Sequence, residues 1–318
     1  MLETTTLGKT GITVPRLCFG SWQAFGWATS DDNNFKRTLC YALERGINFI
    51  DTAEAYGEGH AEKLIGETIS GRRDKVIIAT KFWYQRSKPA ELRLSLEGSL
   101  KRLKTDYVDL YQQHWPPLSP PLDETINELV KLKEAGKIRA VGVSNWMEPE
   151  WNEIKNPELI DCLQPCYSLL WRSVEKNVLP FCLKHRIAVI PYSPLCQGVL
   201  AGRFQSAEAV PNDFRKKNRL FAAEFFPCLL EVVKAVKEIA QELQKPMAAV
   251  ALRWLLEQPG VTAPIVGASN STQVDENLQA LGWKMPKEHI ERLDKLSSPL
   301  SAGLKPHETM WNWHPRGA

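Results

Sequence analysis

Leu17-Cys18-Phe19-Gly20-Ser21-Trp22-Gln23 runs from three apolar residues into a single glycine and then into a hydroxyl, an indole and an amide. The apolar run reads as a first β-strand. An open dinucleotide-binding sheet would follow that strand with G-x-G-x-x-G, whose glycines let the backbone approach a pyrophosphate. No such fingerprint occurs here. Outward from this point, short apolar runs alternate with stretches of helical spacing almost to the C-terminus, the pattern of repeated β-α units around a parallel sheet.

Strands are predicted over residues 17–19, 49–51, 76–81, 108–114, 138–144, 162–167, 188–192 and 264–266. The clearest helices are 32–44, 60–69, 90–103 and 122–134, with apolar residues three and four apart. Gly46 and Gly136 follow two of them, where helix ends commonly need a left-handed backbone. Eight such units fit a (β/α)8 TIM barrel or a doubly wound sheet, and the missing glycine fingerprint favours the barrel. Residues 1–318 are then expected to form one barrel domain. Leu7-Gly8-Lys9-Thr10-Gly11-Ile12 reads as an N-terminal β-hairpin, a plug across the bottom. Residues 197–226 form a long loop after strand seven, and 286–318 a C-terminal helical extension with an aromatic tail.

Composition narrows the function classes. Apolar residues make up 43% of the 318 and charged residues 24%, enough for a large core. The net charge of +3 is spread among acids, so nucleic acid and anionic membrane surfaces are not the expected partners. No apolar leader and no run of about 18 apolar residues occurs, which argues for a cytoplasmic protein. The seven cysteines are odd in number and form no C-x-x-C pair, so they read as reduced, mostly buried small apolar residues.

Asp51 and Tyr56 follow predicted strand two, Lys81 ends strand three and His114 ends strand four. The C-terminal rim of such strands is where barrels carry active sites. Taken singly, the aspartate is as readily a helix cap, the lysine and tyrosine surface or packing residues, and the histidine a satisfied hydrogen-bonded group. Jointly they suit carbonyl reduction. Hydride arriving at a carbonyl carbon leaves negative charge on oxygen, which needs a proton donor within hydrogen-bond reach. A phenol is protonated at neutral pH, and a nearby ammonium lowers its pKa. Tyr56 is thus the expected acid, with Lys81 tuning it, Asp51 holding Lys81, and His114 orienting the oxygen. No metal is expected, since the six histidines include no H-E-x-x-H or H-x-x-x-H.

The chain resembles the aldo-keto reductase superfamily over nearly its whole length. The resemblance rests on Gly46-Ile47-Asn48-Phe49-Ile50-Asp51-Thr52-Ala53 with Tyr56-Gly57, on Ile78-Ala79-Thr80-Lys81, and on Asp106-Tyr107-Val108-Asp109-Leu110 leading to His114. Gly142-Val143-Ser144-Asn145, Gln164 and Tyr192-Ser193-Pro194-Leu195 extend it. It is nearest to the bacterial branch of monomeric or weakly oligomeric reductases, related to potassium-channel β-subunits. The resemblance implies a (β/α)8 barrel, a tetrad of Asp51, Tyr56, Lys81 and His114, and a small aldehyde or ketone as substrate. It also implies a dinucleotide site. Ser144, Asn145 and Gln164 would hold the nicotinamide carboxamide and Tyr192 would stack on its ring, although Asn145 also reads as a helix cap and Tyr192 as a core aromatic. Gly20, Trp22, Asp51, Ser193 and Leu195 would line the cofactor, and Gly198, Leu200 and Arg203 would fold over the pyrophosphate. Gly267, Ser269, Gln273, Glu276 and Asn277 would take the adenosine end.

Members selective for a 2′-phosphate often place Arg or Lys where this chain has Gly267-Ala268-Ser269-Asn270. NADP(H) remains the expected cofactor, with Arg203 as substitute cation and NAD(H) possible. Trp22, Trp83, Trp115 and Trp146 follow predicted strands and, with Tyr56 and His114, are candidate walls of the substrate pocket, against a bland reading as packing residues. Met310-Trp311-Asn312-Trp313-His314 is a candidate lid. Two rival functions stay open: a slow-turnover NADP(H)-sensing regulatory subunit, and a metal-dependent sugar isomerase or hydrolase.

Overall fold

The structure, a computed structural model, describes residues 2–317 apart from 29, 223, 224, 303, 306 and 312. Strands β1 (Thr4–Thr6) and β2 (Thr13–Pro15) pair antiparallel, with Leu7 N–H donating to Ile12 O at 2.8 Å between them. Leu7, Ile12 and Val14 pack against Phe49, Leu110, Cys162 and Ile190 in an apolar cluster inside the sheet, so the hairpin stoppers one end. Its turn must be slim: a Cβ on Gly8, at φ 55°, would lie 2.8 Å from Asp161 O.

Eight parallel strands follow: β3 (Cys18–Gly20), β4 (Phe49–Asp51), β5 (Ile77–Phe82), β6 (Val108–Gln113), β7 (Ile138–Ser144), β8 (Cys162–Gln164), β9 (Ala188–Val189) and β10 (Ile265–Val266). Their order in the sheet is β10-β3-β4-β5-β6-β7-β8-β9. The sheet curls back on itself, because Thr262 N–H donates to Val189 O and Ile265 N–H to Pro191 O, both at 2.8 Å. The predicted strands over 162–167 and 188–192 are shorter in the structure, ending before or near a proline. Pro165 and Pro191 have no N–H to donate, and the ladder resumes only as an isolated bridge between Cys166 and Tyr192.

The helices are α1 (Asp32–Glu44), α2 (His60–Thr68), α3 (Pro89–Leu103), α4 (Leu122–Glu134), α5 (Glu148–Glu153), α6 (Val178–Lys184), α7 (Phe226–Glu242), α8 (Met247–Glu257), α9 (Ser271–Leu278) and α10 (Lys287–Ser297). α1 shows how sequence sets them. Asp31 caps it by accepting from Asn34 N–H, Phe35, Thr38, Leu39 and Ala42 form its buried stripe, and Gly46 leaves it at φ 93°. Between β9 and β10 the one-helix rhythm breaks. A loop of three short 3₁₀ turns, Cys196–Ala201, Phe214–Lys217 and Arg219–Phe221, is followed by both α7 and α8. That loop is stitched to the C-terminal tail by Arg219 N–H donating to Met310 O at 2.8 Å.

Candidate active site

The C-terminal ends of the parallel strands open into one cavity of about 610 Å³. Strand register sets its floor. Asp51 ends β4, Lys81 lies beside Gln112 across the β5–β6 pair, and His114 leaves β6 with its N–H donating to Phe82 O. Tyr56 sits in the turn after β4, its N–H donating to Ala53 O. These four side chains meet. Lys81 Nζ donates to Asp51 Oδ2 at 2.7 Å, to Thr52 O at 2.8 Å and to Tyr56 Oη at 3.2 Å. The Tyr56 and His114 rings stand edge-on with centroids 5.8 Å apart.

Burial and charge compete at this cluster. Burial raises the Tyr56 phenol above its usual pKa, only partly offset by Lys81, so the lowering expected from the ammonium is outweighed here. Burial alone would lower the Lys81 pKa, but Asp51 and Tyr56 overcome it and the ammonium is held charged. Burial, then Lys81, pushes His114 well below the usual imidazole value, which leaves a neutral ring. At neutral pH the floor therefore holds a protonated phenol, an ammonium, a carboxylate and a neutral imidazole.

The adjoining wall is a closed hydrogen-bond network. Ser144 Oγ donates to Gln164 O, and Asn145 Nδ2 donates to His114 O at 2.9 Å and to Ser144 Oγ at 3.1 Å. Tyr192 Oη donates to Asn145 Oδ1 at 2.8 Å. Asn145 is thus not a helix cap; α5 begins after Met147, whose N–H donates to Glu150. Asn145 (φ 61°), Ser193 (φ 53°) and Gln197 (φ 55°) all line the cavity in left-handed conformations, a kind of strain that clusters at functional sites.

Gly20, Trp22, Ser193, Leu195, Gly198 and Arg203 continue the lining, as do Gly267, Ser269, Gln273, Glu276 and Asn277. Leu200 does not. It is fully buried among core residues because the 3₁₀ turn folds inward, its N–H reaching Leu195 O. A Cβ on Gly267 would lie 2.0 Å from Gln23 Oε1, so a side chain there would displace the Gln23 amide, which donates from Nε2 to Ala268 O. Arg203 makes no side-chain hydrogen bond among the described residues, and Glu276 is the acid acting on it. Such a lining, which combines side-chain amides with a guanidinium, has the donors and acceptors a nicotinamide dinucleotide needs. Unmet capacity points the same way: His114 Nδ1 and Gln197 Nε2 are buried without partners.

Trp22, Trp83 and Trp115 line the cavity above the tetrad. Trp146 does not: it is buried, donates from Nε1 to Gln113 Oε1 and packs on Trp151. Tail residues Trp311 and Trp313 do line it, Trp313 lying parallel to Trp83 at 6.1 Å, while Asn312 lies outside the described residues. Sequence reading missed Gln23, Trp27, Phe214, Arg215 and Lys217, which the long loop and the first rim segment bring in. It also missed Gln112, although two glutamines in a row before His114, inside a central strand, were a visible signal. Among the described residues no cluster of His, Cys, Asp and Glu is arranged to hold a metal, and no helix is long and apolar enough to cross a membrane.

A curled parallel sheet with this rim defines an α/β-barrel oxidoreductase class. Residues 16–298 match the Aldo/keto reductase family. The chain is 35% identical to the aldo-keto reductase YhdN of Bacillus subtilis, over 90% of this chain and 91% of that protein. It is 32% identical to the NADH-specific methylglyoxal reductase of Escherichia coli over 86% and 92%, and 33% identical to a probable voltage-gated potassium channel subunit beta of Arabidopsis thaliana over 88% and 91%. Among solved structures, the glycerol dehydrogenase AKR11B4 from Gluconobacter oxydans superposes with a TM-score of 0.85 at 31% identity, covering 96% of this chain and 99% of that one. An aldo/keto reductase from Klebsiella pneumoniae in complex with NADP and acetate gives 0.79 at 28% identity, over 97% and 100%. The chain belongs to the aldo/keto reductase family, and is an NAD(P)H-dependent oxidoreductase by class.

Proposed function

We propose that this chain, as one barrel domain, reduces small aldehydes or ketones to alcohols with Tyr56 as general acid. The observation that carries the reading is Lys81 Nζ bonded at once to Asp51 Oδ2 and Tyr56 Oη at the floor of the cavity. A nicotinamide cofactor, when bound, supplies hydride to the carbonyl carbon. Tyr56 gives its proton to the carbonyl oxygen, and Lys81 stabilises the phenolate left behind. Asp51 keeps Lys81 charged and aimed, and neutral His114 orients the oxygen.

Ser144, Asn145 and Gln164 would hold the carboxamide, Tyr192 the ring face, and the lining from Gly198 to Asn277 the phosphates and adenosine. NADP(H) is the favoured cofactor, since Arg203 is joined at the cavity by Arg215 and Lys217. Arg215 is already paired with Asp213, while Arg203 and Lys217 make no salt bridge among the described residues and can meet a phosphate. The Escherichia coli relative is NADH-specific by name, which keeps NAD(H) in the comparison. The channel-subunit relative supports a second reading, a cofactor-binding sensor with slow turnover.

Stopped-flow mixing of enzyme with NADPH or NADH, then with an aldehyde panel, tests all of this beside Tyr56→Phe. The variant is expected to bind cofactor normally and to lose turnover by about 10²-fold or more. Full activity in Tyr56→Phe would refute the acid. Tight binding with extremely slow oxidation of bound NADPH in the wild type would favour the sensor.

A further inference from the structure

Asp51 uses only one of its carboxylate oxygens on Lys81. The other, Oδ1, accepts from Gln164 Nε2 at 2.8 Å and from Gln112 Nε2 at 3.4 Å. Gln112 Oε1 in turn accepts from Gln164 Nε2 at 3.2 Å. Gln112 is fully buried on β6, and Gln164 is nearly so at the end of β8. Two buried amides and one carboxylate thus close a triangle beneath the cavity.

The polarity of that triangle follows from charge. A carboxylate paired with an ammonium accepts hydrogen bonds and donates none, so each amide must turn its NH₂ towards Oδ1. Either amide reversed would set a carbonyl oxygen against a carboxylate oxygen in a buried site, where such repulsion is least screened. With both NH₂ groups facing Asp51, the Gln112 oxygen faces Gln164 Nε2 and occupies its second proton. Gln164 Oε1 is then left without a hydrogen bond among the described residues, on a side chain that lines the cavity. The seat for Gln112 is specific: a Cβ on Gly142 of β7 would lie 2.5 Å from Gln112 Cγ.

We infer that Gln112 is a positioning residue that, by taking the second proton of Gln164 Nε2 beside Asp51 Oδ1, completes the lock on which end of the Gln164 amide faces the cavity. The wall then presents an acceptor and selects a ligand group that donates an N–H, as a primary carboxamide does. The same lock holds Asp51 so that Oδ2 stays on Lys81. This inference rests on the dinucleotide reading of the cavity, and it assigns to Gln112 a role that touches neither cofactor nor substrate.

The test compares binding of NADP⁺ with its 3-acetylpyridine analogue, in which a methyl ketone replaces the carboxamide and no N–H is offered. Binding is read by quenching of protein fluorescence, without turnover. The wild type should prefer NADP⁺ by about 10-fold, and Gln112→Met, close to isosteric but without an acceptor oxygen, should narrow that ratio to about 3-fold, within the worth of one hydrogen bond. An unchanged ratio in Gln112→Met overturns the inference, as does an equal loss of both affinities with a lowered Tm, which marks a structural residue.

Gln112→Glu is the second variant, read by pH profile as well as by binding. Its carboxylate keeps an acceptor oxygen for Gln164 Nε2 and so the NADP⁺ preference, while the added charge beside Asp51 lowers Tm and moves the basic limb of kcat/KM to higher pH. A wild-type limb in Gln112→Glu, or loss of the preference there, also counts against the lock. If the wild type binds neither dinucleotide, or Tyr56→Phe keeps full turnover, the proposed function fails instead; if those controls hold and only the Gln112 results fail, the fault lies with this inference alone.

Discussion

The floor of the cavity and its roof are built by opposite means. On the floor, Asp51, Lys81, Ser144, Asn145 and Gln164 are buried at the ends of strands and each has two or more hydrogen-bond partners. The roof is aromatic: Trp22 meets Trp311 edge-on at 5.4 Å, Trp115 meets Trp313 at 5.1 Å, and Trp313 is 41% exposed. Hydrogen bonds demand angle as well as distance, so the floor has few alternative arrangements. Ring contacts are worth about 0.5–1.5 kcal/mol beyond area and tolerate sliding and tilt. A floor that fixes reacting atoms and a roof that adapts is the division expected where chemistry is constant and substrate shape varies.

Lys81→Met strikes the floor hardest. It should cut turnover by about 10²-fold or more. It should also destabilise the protein by about 3–5 kcal/mol, because Asp51 is left as an unpaired buried charge. Denaturant unfolding reads the second effect; wild-type stability would mean that water satisfies Asp51 and that the floor is loosely held.

The pH profile separates the floor's two titrating rings. Tyr56 is held above its usual pKa, chiefly by burial, so kcat/KM for reduction should be flat across neutral pH and fall only as pH rises through that elevated value. His114 lies well below 6.5, so no acid limb should appear near that pH. A limb centred at 6 to 7 that vanishes in His114→Gln would reverse the protonation assigned to this ring.

The roof should respond more gently. Ending the chain after Thr309 removes Trp311 and Trp313, and KM for bulky carbonyls should change by about 3- to 10-fold while kcat for a small aldehyde stays within about 2-fold, in keeping with a few lost ring contacts. An unchanged substrate profile would remove the tail from the site.

The weakest effect concerns how that tail is held. His314 is buried against Trp115 and stacks on His307 at 4.4 Å, while His307 Nε2 meets Glu150 Oε1 and Arg316 reaches Glu150 and Glu153. Burial, then His307, lowers the His314 pKa to about 4. A histidine depressed in the docked state contributes stability present above its unfolded value near 6.5 and lost as pH falls towards 4. Tail docking should therefore weaken between pH 6.5 and 4, seen as a red shift of tryptophan emission that His314→Phe abolishes. A shift retained in that variant would place the titrating group elsewhere.

The alternation of apolar runs and helical stripes was enough to place eight strands and helices such as α1 and α4, because both periods are local and each depends on neighbours within one turn. The single glycine of Gly20-Ser21-Trp22 and the strand-end positions of Asp51, Lys81 and His114 made the floor legible for the same reason: strand ends map onto one rim of a barrel. Other features come from contacts across the chain. The inward turn that buries Leu200, the withdrawal of Trp146 to Gln113, and the arrival of Arg215 and Lys217 all depend on what lies opposite. Hydrogen-bond polarity at Gln112 and the balance of burial against charge at Tyr56 depend on which groups surround them in three dimensions. Sequence carries periodicity and residue type; distance, orientation and desolvation exist only once the strands are side by side.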